Sequence, residues 1–184
     1  MTQAEFLHDI ATRLQATGIP FMLSGSLASS VYGEPRSTND IDLVIDPTLE
    51  QLASFVSGFD ERYYVNSATA LQAWSARSMF NVIELGSGWK TDLILKKHRP
   101  FSEAEFARRQ DRRYFGTSLS IVTPEDAILS KLEWAAKSGS QRQLRDVAGM
   151  LQAQAESLDS VYLNGWATEL GLEALLVQAT PTSD

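Results

Sequence analysis

The chain has 184 residues, 43% apolar and 21% charged, with a net charge of −7 and no cysteine. That length suits one compact domain, or a small domain with a helical appendage. Without cysteine there are no disulfides, thiolate zinc sites or cysteine nucleophiles, and His8 and His98 alone exclude a histidine-rich metal centre.

The first residues, MTQAEFLHDIATRLQATGIP, lack a basic start and an unbroken apolar run, so they do not read as a secretory signal. Leu7, Ile10 and Leu14 recur at helical spacing and predict a helix over about 2–17, stopped at Gly18. A strand at 21–24 and a small-residue helix from Ser26 to about Tyr32 follow. Gly33-Glu34-Pro35-Arg36 reads as a loop. The spacing then predicts a strand at 41–45, a helix at about 48–56, a strand at 63–65 and a helix at 68–76. Strands at 80–85 and 91–95 form a hairpin around Gly86-Ser87-Gly88-Trp89. With a loop at 86–89, Asp92 falls opposite Ile83 and Glu84 opposite Thr91, on opposite faces. A helix around 102–110 and a strand at 119–122 complete this half.

Thr123-Pro124-Glu125-Asp126 is a helix start: a hydroxyl cap, proline in the first turn, then acids near the positive end of the dipole. The pattern stays helical to about Gln178, with breaks at Gly139-Ser140 and around 157–159. The domains expected are therefore a mixed α/β core over 1–122, a helical region over 123–180 and a frayed tail at 181–184. No segment reaches the roughly 20 apolar residues that span a bilayer, which predicts a cytoplasmic protein without membrane contact.

The chemistry concentrates in Ser24-Gly25-Ser26 and in Arg36-Ser37-Thr38-Asn39-Asp40-Ile41-Asp42-Leu43. Alternate residues of a strand share a face. Asp40 and Asp42 therefore project together, while Ile41, Leu43 and Ile45 fill the other side. Two adjacent like charges are unfavourable alone and become favourable around a divalent cation, which takes oxygen ligands. Gly25-Ser26, between strand and helix, suits an anion: backbone close approach, free N–H groups, the dipole's positive end and a hydroxyl. Asp92 is the third acid, chosen because apolar strand residues flank it and an unpaired carboxylate there would be costly.

SGSLASSVYGEPRSTNDIDLVID resembles the signature of the DNA polymerase beta-type nucleotidyltransferase superfamily, and most nearly the AbiEii-type toxins and related uncharacterised nucleotidyltransferases. Gly33, Arg36 and Thr38 match the Gly-x-x-Arg-x-Thr loop of that pattern. The resemblance covers roughly residues 20–150 and is specific over 24–45. It implies a mixed sheet flanked by helices, followed by a helical region. It also implies transfer of a nucleoside monophosphate from a nucleoside triphosphate to an acceptor hydroxyl, in RNA, protein or a small molecule. Two Mg2+ ions, with Mn2+ as the alternative, would be held by Asp40, Asp42 and Asp92, and Asp92 would take the hydroxyl proton. Gly25, Ser26, Arg36, Thr38 and Lys131 would bind the nucleotide. A toxin role would bring an antitoxin partner.

Other features are weighed beside these. Lys96, Lys97, Arg99, Arg108, Arg109, Arg112 and Arg113 form a basic segment, read either as a salt-bridged surface or as a landing site for RNA. Lys131 borders an apolar stripe and reads as a triphosphate ligand or as a snorkelling lysine. Asp146 reads as an ordinary polar residue beside its apolar stripe, or as a supporting acid paired with Arg142 at i, i+4. The four tryptophans read as packing residues. Two other functions compete with transfer: a catalytically silent nucleotide- or partner-binding module, and a phosphohydrolase using the same acids.

Overall fold

The computed structural model describes residues 1–35 and 37–180. Arg36 and the expected tail lie outside the described residues. The chain divides into two compact units, one made of Met1–Ser24 and Thr38–Ile121, the other of Gly25–Ser37 and the chain from Val122 onward. Residues 25–37 thus group with the C-terminal helices, where the sequence pattern suggested one continuous core.

The first unit is a seven-stranded mixed sheet with its helices. Its strands are β1 (Phe21–Ser24), β2 (Asp40–Ile45), β3 (Tyr63–Tyr64), β4 (Met79–Glu84), β5 (Lys90–Leu95), β6 (Gln110–Tyr114) and β7 (Thr117–Ile121), in the order β3-β4-β5-β2-β1-β7-β6. β1 runs antiparallel to β2 and parallel to β7, and β2 runs parallel to β5. The central strands carry the core: Met22, Leu23, Ile41, Leu43, Ile45, Leu93 and Leu95 are fully buried. Burying one such side chain stabilises by about 1.5–3 kcal/mol. The helices are α1 (Gln3–Ala16), α3 (Leu49–Ser57), α4 (Ser67–Ala76) and α5 (Pro100–Arg108). Thr2 and Glu5 close a capping box on α1, whose buried stripe of Phe6, Leu7, Ile10 and Leu14 anchors it, with contacts to β7.

Two features depart from the spacing argument. β6 falls partly where a helix was expected, because Gln110-Asp111-Arg112-Arg113 is exposed and has no apolar alternation. It exists as the edge partner of β7, closed by Phe115 and Gly116, which both take positive φ (46° and 80°) as a tight hairpin turn requires. The β4–β5 hairpin is also shifted by two residues. Asp92 pairs with Asn81 and Lys90 with Ile83, while the Glu84 N–H donates to the Trp89 carbonyl at 2.9 Å. The Glu84 carboxylate accepts from the Gly86 N–H, the Ser87 N–H and the Ser87 hydroxyl, which curls the turn tightly behind it. A shift of two keeps every side chain on its face, so Asp92 and Glu84 remain on opposite faces.

The second unit is helical: α2 (Gly25–Tyr32), α6 (Pro124–Ser138), α7 (Gln141–Ala153), α8 (Ser160–Glu169) and α9 (Glu173–Ala179). Thr123 caps α6 by accepting from the Asp126 N–H, and Gly139 ends it in the left-handed conformation. A third break, unmarked by the sequence pattern, falls at Gly171, also left-handed. The Tyr32 hydroxyl donates to the Val122 carbonyl at 2.8 Å, tying α2 to the start of this unit's helices. Gly33 lies close to α7: an added Cβ would meet Met150 Cγ and its backbone nitrogen at 3.1 Å, so α7 would have to give by a few tenths of an ångström to admit one. Among the described residues no helix is long and apolar enough to cross a membrane.

Candidate active site

Parallel pairing of β2 with β5 sets Asp42 beside Asp92 and Asp40 beside Lys90. Register partners on neighbouring strands project to the same face. The row through Asp42 extends across four strands, with Ser24 of β1 opposite Asp42 and Asn81 of β4 opposite Asp92. One face therefore gathers Ser24, Asp40, Asp42, Asn81, Lys90 and Asp92. The other face is apolar, with Ile41, Leu43 and Leu93 fully buried. Thr91, also on that side, donates its hydroxyl to the Ile41 carbonyl at 2.9 Å and fixes β5 against β2.

Asp92 is only 8% exposed. Its Oδ2 accepts from the Lys90 ammonium at 3.2 Å. Its Oδ1 is the single buried side-chain oxygen or nitrogen among the described residues that has no hydrogen-bond partner. Leaving such an atom unmet costs about 1–3 kcal/mol. Lys90 Nζ also stands 3.4 Å from Asp40 Oδ1. Burial works against the lysine's charge, but the hydrogen bond and charge of Asp92, then those of Asp40, outweigh it and hold the ammonium above its usual pKa. Lys90 is the residue of this face that the sequence pattern did not single out. The available signal was its place two residues before Asp92, on the same side of the strand.

The donor set fits a divalent cation: hard oxygen ligands on one face, one of them buried and unmet. The carboxylates do not yet converge, since among the described residues no three Asp, Glu or His side chains stand close enough to share an ion. The Lys90 ammonium lies between Asp40 and Asp92.

The remaining candidates fall as follows. The Thr38 hydroxyl donates to the Asp40 carbonyl at 3.3 Å and accepts from its N–H at 3.4 Å, so it shapes the entry to β2. Gln3 reinforces that entry by donating to the Thr38 carbonyl at 2.7 Å. Gly25 takes φ +62°, the left-handed turn that glycine favours, immediately after Ser24. Gly25 and Ser26 open α2 in the other unit, where the Ser26 carbonyl accepts from the Ser29 and Ser30 hydroxyls. Lys131 is 5% exposed and donates to Asp146 at 2.7 Å and to Gln143 at 3.0 Å. It is therefore no snorkelling surface lysine, and it is a partner of Asp146 across two helices. Arg36 lies outside the described residues.

The basic segment is divided in use. Lys96 is largely buried between Asp46 (2.9 Å) and Glu103 (2.6 Å). Arg109 stacks over Phe106 at 4.3 Å. Arg112 and Arg113 lie exposed on the edge strand β6.

Solved structures share this architecture across nearly the whole chain. The antibiotic-resistance factor ANT(2'')-Ia matches with a TM-score of 0.58 at 12% identity, covering 96% of this chain and 95% of that one. A second structure of that factor is a complex with adenylyl-2''-tobramycin. An antigenic nucleotidyltransferase-like protein from Paracoccidioides brasiliensis matches at 0.57 and 16% identity, over 98% and 94% of the two chains. The lincosamide antibiotic adenylyltransferase LnuA, with lincomycin bound, matches at 0.51 and 12% identity, over 82% and 96%. No protein-family model and no curated protein matches the chain. The fold is the nucleotidyltransferase fold.

Proposed function

We propose that the protein is a metal-dependent nucleotidyltransferase that moves a nucleoside monophosphate from a nucleoside triphosphate to an acceptor hydroxyl. The observation that carries this reading is Asp92 Oδ1, a buried oxygen without a partner among the described residues, set beside Asp42 on an acidic face. Such an atom calls for an explanation, and a bound cation supplies one.

In the reaction the acceptor oxygen bonds to the α-phosphorus, the bond to the pyrophosphate oxygen breaks, and the hydroxyl proton leaves. Mg2+, or Mn2+ in its place, supplies charge neutralisation for the triphosphate and acidifies the acceptor hydroxyl when bound. Asp40, Asp42 and Asp92 are the residues that would hold it, and Asp92 receives the hydroxyl proton. Thr38 keeps Asp40 in place through its backbone. Gly25 and Ser26, at the N-terminal end of α2, would bind the phosphates. Arg36 neutralises phosphate charge. Lys131 has the weaker claim among these, because it already answers Asp146.

The acceptor we infer is a small hydroxylated molecule. ANT(2'')-Ia and LnuA, by their names, act on antibiotics of that kind. The basic segment also loses Lys96 to an internal ion pair, which shrinks the surface open to a polyanion. Exposed Arg112 and Arg113 favour the alternative, an RNA acceptor, to which a toxin role and an antitoxin partner would belong.

The test is incubation with α-labelled triphosphates, Mg2+ or Mn2+, and either total RNA or a set of hydroxylated antibiotics including tobramycin and lincomycin. Label on a small molecule with pyrophosphate release supports the proposal. Label on RNA redirects the acceptor. Binding without release in any mixture identifies a silent module, and inorganic phosphate as product identifies a phosphohydrolase.

A further inference from the structure

We propose that Lys90 is a tethered counter-cation that competes with divalent metal for Asp40 and Asp92, so that metal binds firmly only together with a triphosphate. The inference rests on the metal-binding reading above. Its basis is placement. Lys90 is the register partner of Asp40 and lies two residues before Asp92 on the same face of β5. Its ammonium stands 3.4 Å from Asp40 Oδ1 and 3.2 Å from Asp92 Oδ2, bridging carboxylates of two strands.

A lysine ammonium is a compact point charge on a flexible four-carbon stem. Its side chain here is 30% exposed, so it has solvent to move into. It satisfies only one oxygen of Asp92 and leaves Oδ1 unmet. An ion entering at Oδ1 therefore meets the positive charge already seated on the same carboxylate. The ammonium offsets part of the negative charge of Asp40 and Asp92, so the ion is attracted less than by the acids alone. A triphosphate arriving with its ion adds the negative charge that offsets Lys90. The result is a site that binds free metal weakly and the metal–nucleotide complex firmly.

The experiment is calorimetric titration of Mn2+ into the full chain without nucleotide, for wild type, Lys90→Met, Lys90→Gln and Lys90→Arg. Lys90→Met and Lys90→Gln are expected to bind Mn2+ at least about tenfold more tightly, because each removes a positive charge that repels the ion from a few ångströms away. Lys90→Arg is expected to stay near wild type. The metal-free melting temperature of Lys90→Met should fall below that of wild type and recover on adding Mn2+. Equal or weaker Mn2+ binding by folded Lys90→Met and Lys90→Gln overturns the role of Lys90. The metal-site reading then still stands if Asp42→Asn abolishes Mn2+ binding measured with a non-hydrolysable triphosphate present. If Asp42→Asn and Asp92→Asn bind Mn2+ as wild type does with that triphosphate present, the metal site itself is wrong, whatever Lys90→Met does.

Discussion

Two ionic clusters in this protein have opposite characters. On the sheet, Asp40, Asp42 and Asp92 share a face with one lysine, and one buried carboxylate oxygen has no partner among the described residues. In the helical unit, Lys131 and Asp146 meet at 2.7 Å with Gln143 alongside, and no such atom is left over among the described residues. An unmet buried atom is costly to a fold and calls for an explanation, which the proposed metal supplies. A matched pair with its hydrogen bonds made marks structure.

The contrast breaks most visibly in activity. Asp42→Asn or Asp92→Asn is expected to lower pyrophosphate release by about a thousandfold, as loss of a group acting on developing charge does. Both variants should remain folded, since the apolar core on the other face of the sheet is untouched. A steep fall in melting temperature would place these acids among the structural groups.

Lys131→Met should act the other way. Removing one partner of a buried ion pair costs about 3–5 kcal/mol, read as a lower urea midpoint. If Lys131 instead serves the triphosphate, the variant will keep its midpoint and raise KM for the nucleotide.

The sheet's central strands were legible because Ile41, Leu43, Ile45, Leu93 and Leu95 make the alternating and continuous apolar runs that strands need. The Asp40/Asp42 pair followed from the period of two. The start of α6 was legible from Thr123 and Pro124. β6 was not, since an exposed edge strand of charged residues carries no hydrophobic period and owes its form to its partner β7. Lys90 escaped notice because one lysine beside an acid carries no signal until the register sets Asp40 across from it. The partnership of Lys131 with Asp146 joins two helices, which periodicity within either helix cannot report.

Smaller effects sharpen the contrast. If RNA is the acceptor, Arg112→Gln with Arg113→Gln should reduce the slope of log affinity against log salt by about 1 for each phosphate no longer neutralised. An unchanged slope would leave β6 as a solvated edge. Glu84 is an acid on the structural side of the comparison. Hydrogen bonds from the Ser87 side chain and backbone hold its carboxyl below the usual value of 4.5. Its contribution to stability is therefore complete above that value and is lost as pH falls through the lower, folded pKa. Glu84→Gln should flatten the acid limb of the stability curve slightly and leave activity at neutral pH unchanged.

The central claim is most directly tested by anomalous diffraction from crystals soaked with Mn2+ and a non-hydrolysable triphosphate. The account predicts a metal peak about 2.1 Å from oxygens of Asp42 and Asp92, with the Lys90 ammonium displaced from Asp92. A bound triphosphate with no metal on these acids, or with its metal held elsewhere, would contradict it.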